Sequence, residues 1–254
     1  MKWLFIFTAF AVFACSGLDN EDKNHNGKKT APKKINVSMS SVALLELFTS
    51  EGCSSCPPAD RLLSQLANFD SNVIPLSFHV DYWNQLGWTD PFSKAQFSER
   101  QKEYGEHFHL ESIYTPQLIV NGEYELVGSN RSTAEADIKK AIGEKCLVRI
   151  NIDEVRKDGN KLLLNCTLEG DWKQTNVAVA LVQKHAEVKI KGGENGGSKL
   201  SHVNVVRSFV EKPAQQKISV DIEVPADVAV NNSQLIVYTQ QHDLKITGAA
   251  IYSL

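Results

Sequence analysis

A cysteine pair between an apolar run and two prolines is the feature of this sequence that most restricts its fold. Residues 42–48 have the length and composition of a buried strand, and they lead directly to Cys53 and Cys56. Pro57 and Pro58 follow at once, and because proline is tolerated in the first turn of a helix, we expect a helix to begin there. The two sulfurs are therefore predicted to lie between the end of a strand and the start of a helix.

The elements that follow alternate between strand and helix as far as residue 145. The pattern predicts a second strand at 73–79, a helix from Asp90 to about Tyr104, a hairpin around Asn121-Gly122 and a last helix that begins at Ser132. A strand–helix–strand opening makes its two strands parallel, whereas the hairpin must be antiparallel. Residues 40–145 are thus predicted to form an α/β thioredoxin-like domain with the order βαβαββα.

The pattern changes at residue 146 to short stretches in which apolar and polar side chains alternate. Strands with turn signals between them predict an all-β domain over residues 146–254, and we expect an immunoglobulin-like sandwich. The strands are predicted at about 146–155, 161–168, 176–184, 202–211, 217–224, 234–240 and 245–252. The glycine-rich residues 192–197 lack the Lys-Ser/Thr of a phosphate-binding loop, so they are predicted to be a mobile hairpin loop.

The first residues have the pattern of a bacterial export signal. The apolar run 3–13 is too short to span a bilayer, and the chain turns polar directly after Ala14-Cys15. We predict a signal peptide over residues 1–14 and lipidation of Cys15; the alternative is an ordinary signal peptide that is cut near Cys15. Residues 15–39 have almost no apolar content and are predicted to be a flexible tether. The protein is therefore expected in the bacterial cell envelope, anchored to a membrane through Cys15.

Composition and cysteine spacing exclude some classes of partner and site. The chain of 254 residues has a net charge of −3 and no basic excess, so nucleic-acid binding is not predicted. A structural zinc ion needs about four ligands, usually from two Cys-x-x-Cys pairs, and this sequence contains a single such pair. No metal ion and no other cofactor is predicted.

Two motifs resemble the thioredoxin superfamily: Cys53-Ser-Ser-Cys56 after the first strand, and Thr115-Pro116 before the third. The sequence is also similar to exported bacterial thioredoxin-like proteins known as domain-of-unknown-function family 1223. The stretches that carry this closer resemblance are 46–60, 77–83 and 87–92. The resemblance covers roughly residues 42–142, and it implies a thioredoxin fold and a redox site.

The superfamily resemblance also implies a role for each residue of the two motifs. Cys53 would be the nucleophile, and Cys56 would resolve the mixed disulfide. Pro116 would be cis, which leaves an extended backbone edge at Thr115 that can pair with a substrate peptide. The expected substrate groove therefore lies beside the cysteine pair.

The predicted position of the cysteines has a chemical consequence. The N-terminus of a helix lowers the pKa of a nearby thiol, and the thiolate is the reactive form. We therefore predict a thiol–disulfide oxidoreductase-like protein whose partner is a thiol- or disulfide-bearing protein or a small thiol. The alternative is a non-catalytic binding protein of the same fold, in which Cys53 and Cys56 form a permanent structural disulfide.

Five other side chains are candidates for the site. His79 and Asp81 follow the second parallel strand, where functional residues gather, and are predicted to assist proton transfer; the alternative is that they cap the strand. Glu46, an acid in an apolar strand, would serve as a proton reservoir or form a salt bridge. Trp83 and Trp88 are predicted to line a substrate groove, or else to form a small separate core.

The two remaining cysteines, Cys146 and Cys166, are predicted to be buried free thiols. A turn at Asp158-Gly159 would place Cys166 opposite residues 150–152. Cys146 would then be roughly 13–20 Å away along the strand, at about 3.4 Å per residue. A disulfide requires Cα atoms within about 7 Å, so this pair cannot form one in a regular hairpin.

Overall fold

The computed structural model describes residues 36–254, which belong to one compact unit. The predicted signal peptide, Cys15 and the tether up to residue 35 lie outside the described residues. The end of the predicted tether is part of the fold, because Asn36–Ser38 form strand β1 and pair with a strand near the C-terminus. No helix in the described part of the chain is long and apolar enough to cross a membrane.

The first half has the predicted order of elements. They are β2 (Ala43–Thr49), α1 (Pro57–Leu66), β3 (Val73–His79), α2 (Ala95–His107), β4 (Gln117–Val120), β5 (Tyr124–Val127) and α3 (Arg131–Gly143). Strand β2 pairs in parallel with β3 and antiparallel with β4, and β4 pairs antiparallel with β5. The thioredoxin-like arrangement βαβαββα is therefore confirmed.

Helix α2 begins later than predicted. The sequence favours Asp90 as its N-cap, but the first helical residue is Ala95. The Asp90 carboxylate instead accepts backbone N–H groups from Glu51 and Phe92 and contacts His79. Asp90 therefore belongs to a buried polar cluster rather than to the helix terminus.

All of the strands predicted after residue 145 are present. They are β6 (Val148–Asp158), β7 (Lys161–Gly170), β8 (Thr175–Lys189), β9 (Lys199–Pro213), β10 (Lys217–Glu223), β11 (Ser233–Gln241) and β12 (Ile246–Ser253), with a short 3₁₀ helix at Val230–Asn232. Within residues 36–254 they are shared between two sheets. The large sheet has the order β1-β12-β11-β8-β9-β3-β2-β4-β5, and the small sheet has the order β10-β7-β6.

The strands after residue 145 do pack as two sheets, but one of these sheets continues into the first half, so an immunoglobulin-like sandwich is not confirmed and the fold is not divided between residues 145 and 146. Strand β9 lies parallel to β3, with Val205 paired to Ser77, so strands from both halves form one continuous sheet. The physical reason lies in β8, whose residues 177–182 are all buried. A strand that is covered on both faces has a continuous apolar run, and such a strand suits the middle of a large sheet.

The large sheet is covered on both faces. Helix α2 packs on one face, where Phe78 and Phe97 join Ala180 and Ile236 in a single apolar core. On the other face, α1 and α3 cover β2 to β5, and the small sheet covers β8, β11 and β12. The N-terminus of α1 is thereby fixed on a rigid layer.

A buried ion pair joins the two halves on the α2 face. Arg100 in α2 donates to both carboxylate oxygens of Glu46 in β2, at 2.6 and 2.9 Å. The same guanidinium donates to the Tyr238 hydroxyl and to Gln240 in β11, and Tyr104 donates to Glu46 at 2.8 Å. Burial alone would lower the pKa of Arg100, but Glu46 raises it well above its usual range.

Cys166 and Cys146 contribute to different cores and form no disulfide with any described residue. Cys166 is paired with Ile152, so its predicted position opposite residues 150–152 is confirmed. Cys166 is buried, whereas Cys146 is only half-buried, which corrects the prediction of two buried thiols. Burial raises the pKa of Cys166 to about 12 and raises that of Cys146, so neither is a reactive thiolate at neutral pH.

We expect Arg100→Met to destabilise the protein by about 3–5 kcal/mol, because Glu46 would be left as a buried charge without its partner. Urea unfolding at neutral pH measures this loss. Arg131→Met is the matched control, because Arg131 also pairs with a glutamate, Glu135, but on an exposed helix surface. That control should change the free energy of unfolding by about 0–1 kcal/mol, and equal losses in the two variants would contradict the prediction.

Candidate functional site

Cys53 and Cys56 form a disulfide in the segment that connects β2 to α1. Helix α1 begins at Pro57 as predicted, with Cys56 as its N-cap residue. Cys56 has φ −78° and ψ −36°, which is helical geometry although a following proline disfavours it. Its carbonyl accepts the N–H groups of Ala59 and Asp60. Both sulfurs therefore lie at the positive end of the helix dipole.

The peptide bond between Thr115 and Pro116 is cis, as the superfamily resemblance implied. The Ser55 hydroxyl, between the two cysteines, donates to the Thr115 carbonyl at 3.4 Å and lies 3.3 Å from the Cys53 sulfur. The loop that contains the cis proline and the loop that contains the cysteines are therefore adjacent. The role of Thr115 and Pro116 as an edge that pairs with a substrate peptide stays a prediction.

The two tryptophans that were predicted to line a groove, Trp83 and Trp88, are each held at the site by a hydrogen bond. The indole N–H of Trp83 donates to the Thr115 hydroxyl at 2.9 Å, and that of Trp88 donates to Glu51 at 2.7 Å. A Cβ atom added to Gly52 would lie 3.1 Å from the Trp83 Cβ, so this backbone runs directly against the tryptophan. Both indoles are half-buried. Their role as a substrate groove stays a prediction.

Both cysteines of the disulfide are 0% exposed. Trp83 lies against Gly52, and Asn195 donates to the carbonyls of Glu51 and Cys53 at 2.8 and 2.9 Å. Asn195 lies in the glycine-rich loop between β8 and β9, which sequence analysis treated only as a mobile hairpin loop. The second half of the chain therefore contacts the backbone of the cysteine loop directly.

A buried imidazole lies between two carboxylates beside the cysteines. His202 in β9 has Nε2 3.4 Å from Glu51 Oε1 and Nδ1 3.4 Å from Asp60 Oδ1. All three residues are almost wholly buried, and the contact geometry is that of ion pairs rather than of directed hydrogen bonds. Burial alone would lower the pKa of His202, but Asp60 and Glu51 raise it to about 10. His202 is thus a cation at neutral pH.

Sequence analysis missed this Glu51–His202–Asp60 cluster. Glu51 and Asp60 stand close to the cysteines in the sequence, and Asp60 shares the buried side of α1 with Leu63. An acid on an apolar helix face was therefore a usable signal. The sequence around His202 contains no such signal, because only the pairing of β9 with β3 brings this residue to the site.

His79 is linked to the same region through Asp90. Its Nδ1 is 2.7 Å from Asp90 Oδ2, and that carboxylate oxygen also accepts the backbone N–H of Glu51 at 2.8 Å. The rings of His79 and His202 lie 4.7 Å apart, edge to face. Burial would raise the pKa of Asp90, but His79 and two backbone N–H groups lower it below its usual value. The proton-transfer role of His79 stays a prediction.

Asp81 and Glu46 are committed to contacts with α2. Asp81 accepts the Ser98 hydroxyl at 2.5 Å, and its own backbone N–H donates to the same hydroxyl group. Glu46 forms the buried ion pair with Arg100, which is the salt bridge that the sequence left as an alternative. Its neighbours Leu45 and Leu47 pack toward α1, so Glu46 lies on the opposite face of the large sheet. Among the described residues, no group of three or more His, Cys, Asp and Glu side chains could hold a metal ion.

His202→Gln should destabilise the protein by about 3–5 kcal/mol at pH 7, because Glu51 and Asp60 would lose the cation between them. The stabilisation from a raised histidine pKa is complete below about pH 6.5 and is lost as the pH rises through about 10. The difference in unfolding free energy between the two proteins should therefore narrow from pH 7 to pH 10.5.

Urea unfolding across this pH range checks the prediction. His185→Gln is the matched control, because His185 is an exposed residue of the same hairpin. The control should differ little from the wild-type protein at any pH. A constant difference between wild type and His202→Gln from pH 7 to pH 10.5 would contradict the charge assigned to His202.

Comparison with known proteins agrees with this geometry. Residues 44–240 match the family model described as "Protein of unknown function (DUF1223)". A thioredoxin from Methanocaldococcus jannaschii is 28% identical over 99 residues, which are 39% of this chain and 94% of that protein. The crystal structure of an Agrobacterium tumefaciens protein is 27% identical, with a TM-score of 0.62, and the match covers 85% of this chain and 96% of that one. The chain therefore belongs to the family of proteins of unknown function DUF1223.

Proposed function

We propose that this protein is a thiol–disulfide oxidoreductase that uses Cys53 and Cys56. The observation that carries the proposal is the position of the disulfide, at the N-terminus of α1 and beside the cis Thr115–Pro116 peptide. A helix N-terminus stabilises a thiolate, which makes a disulfide at that position easier to open. The matching thioredoxin supports the same chemistry.

The reaction would proceed through a mixed disulfide. A partner thiolate attacks the Cys53 sulfur, the bond between Cys53 and Cys56 breaks, and Cys56 leaves as a thiolate at the helix N-terminus. A second thiolate, from the same dithiol or from a second molecule of a small thiol, then attacks the partner's sulfur in the mixed disulfide and releases Cys53 as a thiolate. The partner is a dithiol or disulfide of a protein, or a small thiol, and the direction of exchange depends on its reduction potential.

The proposal includes a place in the cell. The apolar run 3–13 and the abrupt change at Ala14-Cys15 support export and lipidation of Cys15. A tethered oxidoreductase would then act on thiols and disulfides of the bacterial envelope, where disulfides persist.

A second candidate is a non-catalytic binding protein that keeps the disulfide as a structural link. The complete burial of Cys53 and Cys56 favours it, because an attacking thiolate has no direct route to a sulfur that is 0% exposed. The two candidates differ in the reduction potential of the disulfide.

We expect a reduction potential above about −300 mV, because structural disulfides of exported proteins lie below that value. Equilibration of the native protein with dithiothreitol buffers of graded potential, followed by alkylation of free thiols, measures it. Cys166→Ser is the control, since Cys166 is a buried thiol outside the pair and its loss should leave the potential unchanged. A value below −300 mV would favour the structural candidate.

The roles of the two cysteines can be separated by trapping. Cys56→Ser should form a mixed disulfide with glutathione disulfide about tenfold faster than Cys53→Ser, because the Cys53 thiolate is the attacking group. Mass spectrometry of the quenched protein follows the adduct over time. A faster reaction of Cys53→Ser would reverse the assignment of nucleophile and resolving cysteine.

A further inference from the structure

The loop between β8 and β9, residues 190–198, has a defined fold. Ile190 and Ser198 pair across its base, and the N–H of Gly197 donates to the Ile190 carbonyl at 2.9 Å. Gly193 has φ +67° and Gly197 has φ +87°, a region that glycine adopts without strain. The glycines therefore form a compact hairpin tip.

This tip rests on the residues that surround the disulfide. A Cβ atom on Gly192 would lie 2.5 Å from the Gly87 carbonyl oxygen, and one on Gly193 would lie 3.2 Å from the Trp88 Cβ. Only glycine permits so close an approach of the two backbones. The tip thus packs against the loop whose Trp88 holds Glu51.

Asn195 fastens the tip to the cysteine loop. Its side-chain amide donates two hydrogen bonds, to the Glu51 carbonyl at 2.8 Å and to the Cys53 carbonyl at 2.9 Å. These two carbonyls belong to the segment that ends in the disulfide. One side chain from the second half of the chain therefore holds the backbone of Cys53 in place.

The pairing of the strands allows the tip to move alone. Strand β8 pairs with β11 only as far as Gln183, and β9 pairs with β3 only at Val205. Beyond those points the described β8 and β9 residues pair only with each other, out to Lys189 and Lys199. His202 remains between Glu51 and Asp60, so an opening motion that keeps this contact would be confined to the tip.

We propose that residues 190–198 are a lid over Cys53 and Cys56, with Asn195 as the residue that holds it closed. This inference rests on the proposed thiol–disulfide exchange and adds a condition to it. Because both cysteines are fully buried when the lid is closed, a thiolate reaches Cys53 only after the Asn195 hydrogen bonds break. Asn195 is thus a positioning residue that controls access to the disulfide.

Dithiothreitol probes the lid directly. One of its thiolates attacks Cys53, forms a mixed disulfide and expels Cys56 as a thiolate, which takes a proton from water. The second thiolate of dithiothreitol then attacks the reagent's own sulfur in the mixed disulfide, which closes the cyclic disulfide and releases Cys53 as a thiolate that also takes a proton from water. Two electrons pass from the reagent to the protein, and the protein gains two thiols.

We expect the native Asn195→Ala protein to be reduced roughly 5- to 30-fold faster than wild type, since two hydrogen bonds that hold the closed state are lost. The reaction is quenched with an alkylating reagent, and the reduced fraction is followed over time. Asn68→Ala is the matched control: Asn68 also donates its amide to a backbone carbonyl, that of Ser64, but near the far end of α1. The control should be reduced at the wild-type rate.

A second variant keeps the lid testable if Asn195→Ala fails to fold. Asn195→Asp keeps the size of the side chain but can only accept hydrogen bonds, so it should repel both carbonyls and accelerate reduction at least as much. Rates equal to wild type in both variants would overturn the lid. An acceleration that only matches a fall in the free energy of unfolding of Asn195→Ala would overturn it as well.

The redox equilibrium separates this inference from the proposed function. Opening of the lid changes how fast the disulfide reacts, so the equilibrium with dithiothreitol should be the same in Asn195→Ala and wild type. A wild-type potential in the structural range together with faster reduction of the variant would reject the oxidoreductase and retain the lid. A wild-type reduction potential in the range of catalytic disulfides, together with an unchanged rate of reduction in Asn195→Ala, would reject the lid and retain the oxidoreductase.

Discussion

Strand β9 runs parallel to β3 at the edge where a thioredoxin-like sheet would otherwise end. Ser77 pairs there with Val205, and its hydroxyl donates to the Val203 carbonyl at 2.9 Å. This short contact continues one sheet from the first half of the chain into the second. It also places His202 beside the cysteine loop and brings the hairpin tip, with Asn195, against the backbone of that loop. The surroundings of the cysteine pair therefore depend on a single strand pairing.

Two buried charge clusters make the joint between the halves specific. Arg100 and Glu46 need the polar groups of β11, and Glu51 and Asp60 need the imidazole of β9. A buried charge without its partner is strongly destabilising, so neither cluster tolerates separation of the halves. Glu46 lies in the middle of β2, the central strand of the first half, and Glu51 lies in the loop that follows it. Together they fix where the second half sits on the first.

Local sequence patterns predict the individual strands and helices, but they do not predict which of these elements pack side by side. The apolar run before Cys53, the prolines after Cys56 and the Asn121-Gly122 turn each specify structure over a few residues, and these predictions were confirmed. The predicted immunoglobulin-like arrangement was not confirmed, because alternation predicts a strand but not the strand beside it. The strands do pack as two sheets, but β8 and β9 belong to the sheet of the first half, and β6, β7 and β10 form the small sheet. His202 and Asn195 were missed for the same reason, since each reaches the site through a contact that spans over 130 residues. The sequence shows no spacing that encodes such contacts.

In our proposal, the disulfide is chemically competent by its position and is covered by a lid that opens within the folded protein. The most direct test is the rate of its reduction by a fixed concentration of dithiothreitol as urea is raised below the unfolding transition. Local opening exposes little surface, so the rate should stay nearly constant over this range. A rate that rises steeply, with the same urea dependence as global unfolding, would show that the disulfide is reached only in the unfolded chain and would contradict the account.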